Sequence, residues 1–286
     1  MEIAVTTAFS HHTPVEFIGP AAQRIEAAGF AAVWLPEHVL FFPEYDSAYP
    51  YSDDGRIPGD PDGVIDPFTA LTFVAAHTST LRLGTGICLV PQRQPVYTAK
   101  AVADLDYLSG GRVDFGIGVG WLEEEFDALG MDFGARGPRT TEYIEAMKAL
   151  WGADPVSFSG ETVTIRNAHA NPKPVQTPHP PIFVGGESKP ALRRVANLAD
   201  GWYGMGVAPD DVAGYFDKLD EHLDAAGRTR DEIKIYVSPN RGRVDPDMTA
   251  AYAAAGVDQL VLPLFALNLD RLDQGIERLR AQTGME

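Results

Sequence analysis

The sequence predicts an α/β fold, a (β/α)8 TIM barrel with lid insertions after the second strand and before the fifth. Three observations carry that prediction. Short apolar runs alternate strictly with segments of helical period, which calls for a parallel sheet with helices packed outside it. Eight such strand–helix units follow one another along the chain. Eight units within 286 residues suit a closed barrel better than an open sheet. A doubly wound sheet, which needs no fixed strand number, is the alternative. Residues 1–286 are read as one barrel domain.

The first strand is expected over 2–8, followed by a helix within 15–28 that Gly29 ends. The second strand covers 31–35. Asp66-Pro67 then reads as an N-cap followed by proline at the first helical position, and Phe68, Leu71, Phe73 and Val74 supply apolar residues to that helix. The third strand covers 81–89. Pro95 opens the next helix, with Val96, Ala99, Val102, Leu105 and Leu108 on its apolar face. Gly110-Gly111 closes it, because glycine accepts the left-handed conformation a helix end requires. The fourth strand covers 112–119, with a short helix near 123–129 and a longer one over 140–151. The fifth strand, 181–184, leads to Ser188 as the cap of a helix over 189–199. The last three units pair strands 201–205, 233–238 and 259–263 with helices 210–226, 247–255 and 269–283.

Two stretches break this rhythm. Residues 41–65 are acidic and rich in Pro, Tyr and Gly, and they follow the second strand, so they belong at the C-terminal mouth of the barrel. Residues 152–180 contain "VSFSGETVTI", shaped as a hairpin turning at Ser159-Gly160. Long loops in compact domains commonly act as lids over a site.

Charge and cysteine content narrow the function classes. A formal net charge of −17 repels nucleic acid and anionic membranes, so neither is an expected partner. Cys88 is the single cysteine, which excludes an intrachain disulfide and a cysteine-built metal site. No signal peptide or membrane-length apolar run is read, and a cytoplasmic enzyme or binding protein acting on a small molecule is the expectation. His11-His12 would lie at the end of the first strand, where neighbours face opposite ways, so no metal site is expected there. Asp53, Asp54, Asp60 and Asp62 do not meet a calcium-loop pattern.

The strand ends carry the chemistry in such a barrel. Here they are unusually small: "LGTGICL", "FGIGVGW" and "FVGGES" close strands three, four and five. Glycine at three consecutive strand ends lets a large flat ring approach the backbone, although tight barrel packing explains any one of them. "GGES" before a helix offers backbone N–H groups and the helix dipole to an anion such as a phosphate, with Ser188 adding a hydroxyl.

The stretches from "DPFTALTFVAAHTSTLRLGTGICLVPQRQPVYTAKAVADLDYLSGGRVDFGIGVGWLEEEFDALG" to "PKPVQTPHPPIFVGGESKPALRRVANLADGWYG", with "VWLPEHV" upstream, resemble the core of the bacterial-luciferase-like flavin and deazaflavin oxidoreductases. Within that family the sequence most resembles the short actinobacterial-type branch predicted to use coenzyme F420. The resemblance implies a ring lying in the barrel mouth. It implies that Thr85, Gly86 and Ile87 border that ring, with a cis peptide between Gly86 and Ile87. Val119 and Gly120 would line its edge, and Gly185, Gly186, Glu187 and Ser188 would hold the cofactor phosphate. His38 matches the position nearest the reactive part of the ring and is the candidate catalytic residue, since histidine exchanges protons near neutral pH.

One departure stands out. A sugar-phosphate dehydrogenase branch carries an acidic glutamate where this chain has Trp121, and an indole cannot transfer a proton in that way. Glu124 or Glu125 could take that part, against the plainer reading of surface residues at a helix start. Arg93, Lys100, Arg193 and Arg194 are candidates to meet the polyglutamate tail of F420. The sequence thus points to an F420-dependent oxidoreductase that moves hydride to or from a small organic substrate. An FMN-dependent monooxygenase and a non-catalytic flavin- or deazaflavin-binding protein are the alternatives. Family members often form homodimers, but no interface stripe is visible in this sequence.

Overall fold

The computed structural model describes residues 1–59, 61–239 and 244–285; Asp60, read above with the acidic loop residues, lies outside them. Along the chain run β1 (Glu2–Thr6), α1 (Val15–Ala27), β2 (Ala32–Leu35), α2 (Pro67–His77), β3 (Arg82–Thr85), β4 (Cys88–Leu89), α3 (Pro95–Ser109), β5 (Val113–Gly118), α4 (Glu123–Ala128) and α5 (Arg136–Trp151). The antiparallel hairpin β6 (Val156–Ser159) and β7 (Thr164–Ala168) follows. Then come β8 (Ile182–Gly185), α6 (Lys189–Leu198), β9 (Gly201–Met205), α7 (Pro209–Ala226), β10 (Lys234–Ser238), α8 (Pro246–Ala254), β11 (Gln259–Pro263) and α9 (Leu269–Thr283). Neighbouring strands pair in the order β3, β2, β1, β11, β10, β9, β8, β5, and a β3–β5 pairing closes the ring. The expected eight-stranded parallel barrel is therefore present, with β4 as a short extra piece beside β5.

The helix starts follow local chemistry. Asp66 accepts the Thr69 amide at 2.9 Å just ahead of Pro67, and Asn268 accepts the Arg271 amide at 2.9 Å, each satisfying an otherwise unpaired N–H. Two boundaries differ from the sequence reading. The single third strand is split by a cis peptide between Gly86 and Ile87, so β3 stops at Thr85 and β4 resumes at Cys88. Helix α5 begins at Arg136, not at 140, because Gly137 and Pro138 fall in its first turn, where proline loses no hydrogen bond.

The barrel interior is filled by side chains. Ala4, Ala32, Trp34, Phe183, Tyr203, Tyr236 and Val261 form a cluster separate from the larger core between sheet and helices. Trp34 is fully buried and meets Phe183 and Tyr236 edge-on at 5.8 Å. Its Nε1 donates to Gln259 Oε1 at 2.9 Å, and Gln259 Nε2 donates to Glu2 Oε2 at 2.9 Å.

This indole explains the bare strands. A Cβ on Gly84 would lie 2.2 Å from Trp34 Cδ2, and one on Gly116 would lie 2.1 Å from the Thr85 carbonyl oxygen and 2.9 Å from Trp34 Cζ3. A Cβ on Gly118 would meet Ile87 Cδ1 at 2.0 Å. The expectation that β5 is stripped for a ligand is thus corrected at Gly116, which makes room for Trp34 and the Thr85 carbonyl, while Gly118 leaves room for Ile87.

Because backbone opposes the new methyl, Gly116→Ala should destabilise the fold by about 1–3 kcal/mol, read as a lower thermal midpoint. Gly214→Ala, in α7 with open space around its Cβ, should leave the midpoint unchanged or raise it.

Candidate active site

A cavity of about 1600 Å³ opens at the C-terminal ends of the barrel strands. His38, Gly86, Ile87, Val119, Gly120, Gly185, Gly186, Glu187 and Ser188 all line it, so the structure brings these expected site residues together. Thr85 is apart from them. It is 1% exposed, and its hydroxyl donates to the Gly116 carbonyl at 2.6 Å, behind the cavity wall. Ile87 packs on the interior cluster around Trp34, which makes it part of the cavity floor. Gly120 and Gly186 hold φ of 80° and 105°, a backbone state that suits glycine.

His38 leaves β2 at the rim with 11% of its side chain exposed, and its Nδ1 lies 3.0 Å from Glu125 Oε2. Glu125 is fully buried. It also accepts the amides of Val39 at 2.6 Å and Leu40 at 3.0 Å, and Gln92 Nε2 at 2.9 Å. Burial pushes this carboxyl up, but the bond and charge of His38, the Leu40 amide and Gln92 outweigh it and hold it below the usual range. Glu37, the sequence neighbour of His38, turns elsewhere: it accepts the Leu89 amide at 2.6 Å and pairs with Arg93. Burial also pushes the Cys88 thiol well up, leaving it an inert apolar residue.

Glu125 is therefore not the surface residue of the plainer sequence reading, and Glu124, half-buried, is tied to the lid. Glu124 accepts the amides of Asp46 at 2.5 Å and Ser47 at 3.1 Å and the Ser47 hydroxyl at 2.7 Å. Burial, the largest single influence, raises its carboxyl, and these donors together more than reverse it, to about 2. Both glutamates on α4 clamp the backbone of the lid that follows β2. The lid aromatics gather on Trp121, with Tyr45 at 5.5 Å, Tyr49 at 5.2 Å and His38 at 5.8 Å between ring centres, all edge-on. Phe41 packs on His38 at 4.9 Å.

At the opposite wall, Ser188 caps α6 by accepting the Ala191 amide at 3.4 Å. The Glu187 side chain turns back to accept the Met205 amide at 2.7 Å and also bonds the Tyr51 hydroxyl of the lid. Burial raises this carboxyl despite both donors. Of the cations singled out in the sequence, Arg193 and Arg194 line the cavity. Arg194 is buried and donates to the Gly137 carbonyl at 2.9 Å. Arg93 is engaged by Glu37 and Asp66, and Lys100 pairs with Asp104 along α3. Arg136 and Arg139, not singled out in the sequence, also line the cavity from the first turn of α5. The signal for them was the run "GARGPRTTEY", obscured by starting the helix too late.

The model of the luciferase-like monooxygenase family matches residues 1–283. An uncharacterized protein of Mycobacterium tuberculosis is 34% identical over 269 residues, 92% of each chain. The FMNH(2)-dependent dimethylsulfone monooxygenase of Pseudomonas putida is 32% identical over 147 residues, which cover 50% of this chain and 40% of that one. The coenzyme F420 dependent tetrahydromethanopterin reductase of Methanopyrus kandleri shares the fold with a TM-score of 0.74 at 18% identity, over 99% of this chain and 98% of its own. On a match running nearly end to end, the chain belongs to the luciferase-like monooxygenase family.

Proposed function

We propose that this protein is an oxidoreductase moving hydride between coenzyme F420 and a small organic substrate, with His38 handling the accompanying proton. One observation carries the reading: a cavity-lining histidine whose Nδ1 is fixed 3.0 Å from the buried carboxylate of Glu125. An ionised carboxylate there favours the proton on Nδ1 and leaves Nε2 as the exchanging nitrogen. Val39 and Leu40, held on the same carboxylate, keep the start of the lid beside it. Trp121 and Tyr49 line the cavity and, with Tyr45, form an edge-on aromatic cluster that gives the site an apolar wall.

The residues present fit a planar deazaflavin or flavin. The cavity floor is Ile87 with Gly86 beside it, and a Cβ on Gly185 would crowd Ile87 at 3.1 Å. Gly86, Ile87, Val119 and Gly120 would hold the ring. Gly185, Gly186, Glu187 and Ser188 would hold the phosphate at the start of α6 through their backbone. F420, when bound, supplies or accepts the hydride, and the protein supplies position and electrostatics. Arg136, Arg139 and Arg193 face the same cavity and suit the anionic tail that F420 has and FMN lacks. The FMNH(2)-dependent relative supports the second reading, an FMN-dependent monooxygenase.

A spectroscopic titration separates the two. F420 should bind at least about tenfold tighter than FMN, a margin of about 1.4 kcal/mol, and the opposite order would replace the first reading by the second. His38→Ala should slow turnover by about 10²–10⁴-fold with little change in cofactor affinity; unaltered turnover removes His38 from the chemistry.

Glu125→Gln should cost about 1–3 kcal/mol at neutral pH, the loss of a charged acceptor for four donors. The lowered folded pKa means that the ionised form stabilises the fold fully above the ordinary carboxylate value. This contribution is lost as pH falls through the lower, folded value. The gap between wild type and Glu125→Gln in urea unfolding should therefore narrow below about pH 4.

A further inference from the structure

We propose that His11, His12 and Asp62 form a surface site for a divalent transition-metal cation of the zinc type. The sequence argued against it because neighbours on an extended strand diverge. In the structure β1 ends at Thr6, and both histidines lie in the turn before α1. Their ring centres are 3.8 Å apart. Both Nε2 atoms converge on one carboxylate oxygen, His12 at 3.3 Å and His11 at 3.6 Å from Asp62 Oδ2. The three ligand atoms lie within 4.8 Å of one another.

The two distances to Asp62 match the edges of a coordination shell. Bonds of about 2.0–2.1 Å in a tetrahedron set ligand atoms about 3.3 Å apart, so both edges to Asp62 already fit. The backbone is held on both sides. The Ser10 amide donates to Thr13 Oγ1 at 3.0 Å and the His12 amide to Ser10 Oγ at 3.2 Å, which shapes the turn. The Ile65 amide donates to the Phe9 carbonyl at 2.7 Å, which fixes the chain just after Asp62. Two imidazoles and one carboxylate favour zinc, nickel or copper over magnesium or calcium, and the exposed fourth position is open to water. Asp62 belongs to the lid that follows β2, so an ion here would staple the end of that lid to the β1 turn.

Calorimetric titration of the full chain with zinc chloride at neutral pH tests the site. One saturable site is expected. His11→Ala, His12→Ala and Asp62→Asn should each weaken it at least about tenfold, while His169→Ala, at another exposed His–Asp pair, leaves it unchanged. The three site residues are exposed, and circular dichroism checks that each variant remains folded. No saturation up to about 1 mM zinc, or affinity indifferent to the three substitutions, would overturn the proposal.

Discussion

The volume of one indole organises the barrel. Trp34 occupies the interior, tied through Gln259 on β11 to Glu2 on β1, the strand between them. Close packing leaves no slack in such a core, so the strands facing it must give up side chains, and Gly84 and Gly116 do so. The bulge at Gly86-Ile87 then places Ile87 on top of the same cluster, with Gly118 and Gly185 opposite it. The interior is closed at that level, and the space above it becomes the cavity. Floor and opening are two consequences of the same packing.

A second constraint joins the lid to the chemistry. A buried carboxylate needs several donors to remain ionised, and Glu125 finds its donors in the lid backbone, in His38 and in Gln92. The same group that orients the histidine therefore anchors the start of the lid, while Glu124 anchors its next stretch at Asp46 and Ser47. Further along, Tyr51 reaches Glu187 at the opposite wall. Lid placement and site geometry are coupled through these carboxylates, so substitutions on α4 should be read as acting on both. Trp121 takes an apolar part in this arrangement. It gives Tyr45, Tyr49 and His38 an aromatic surface to pack against.

The alternation of apolar runs, the proline and capping residues and the glycine-rich strand ends made the barrel legible, since these depend on local period and local backbone chemistry. The residues around the cavity were legible too, through motif order. The function of β5's glycines was not. Gly116 and Gly118 look the same in sequence whether they face a ligand or the protein's own Trp34 and Ile87, which lie elsewhere in the chain. Glu125 was misread for a similar reason: three consecutive glutamates at a helix start look solvated, and only the approach of residues 38–40 and Gln92 buries the third.

By itself, then, the sequence determined the order of strands and helices, their caps, and which strand ends carry small residues. Those properties are set by neighbours within a few positions. Tertiary structure alone decided that Trp34 fills the barrel and that Glu125 is the partner of His38. It also decided that Arg136 and Arg139 reach the cavity and that His11 and His12 converge on Asp62. Each of these joins groups far apart in the chain, and no local pattern encodes a distance across a closed ring.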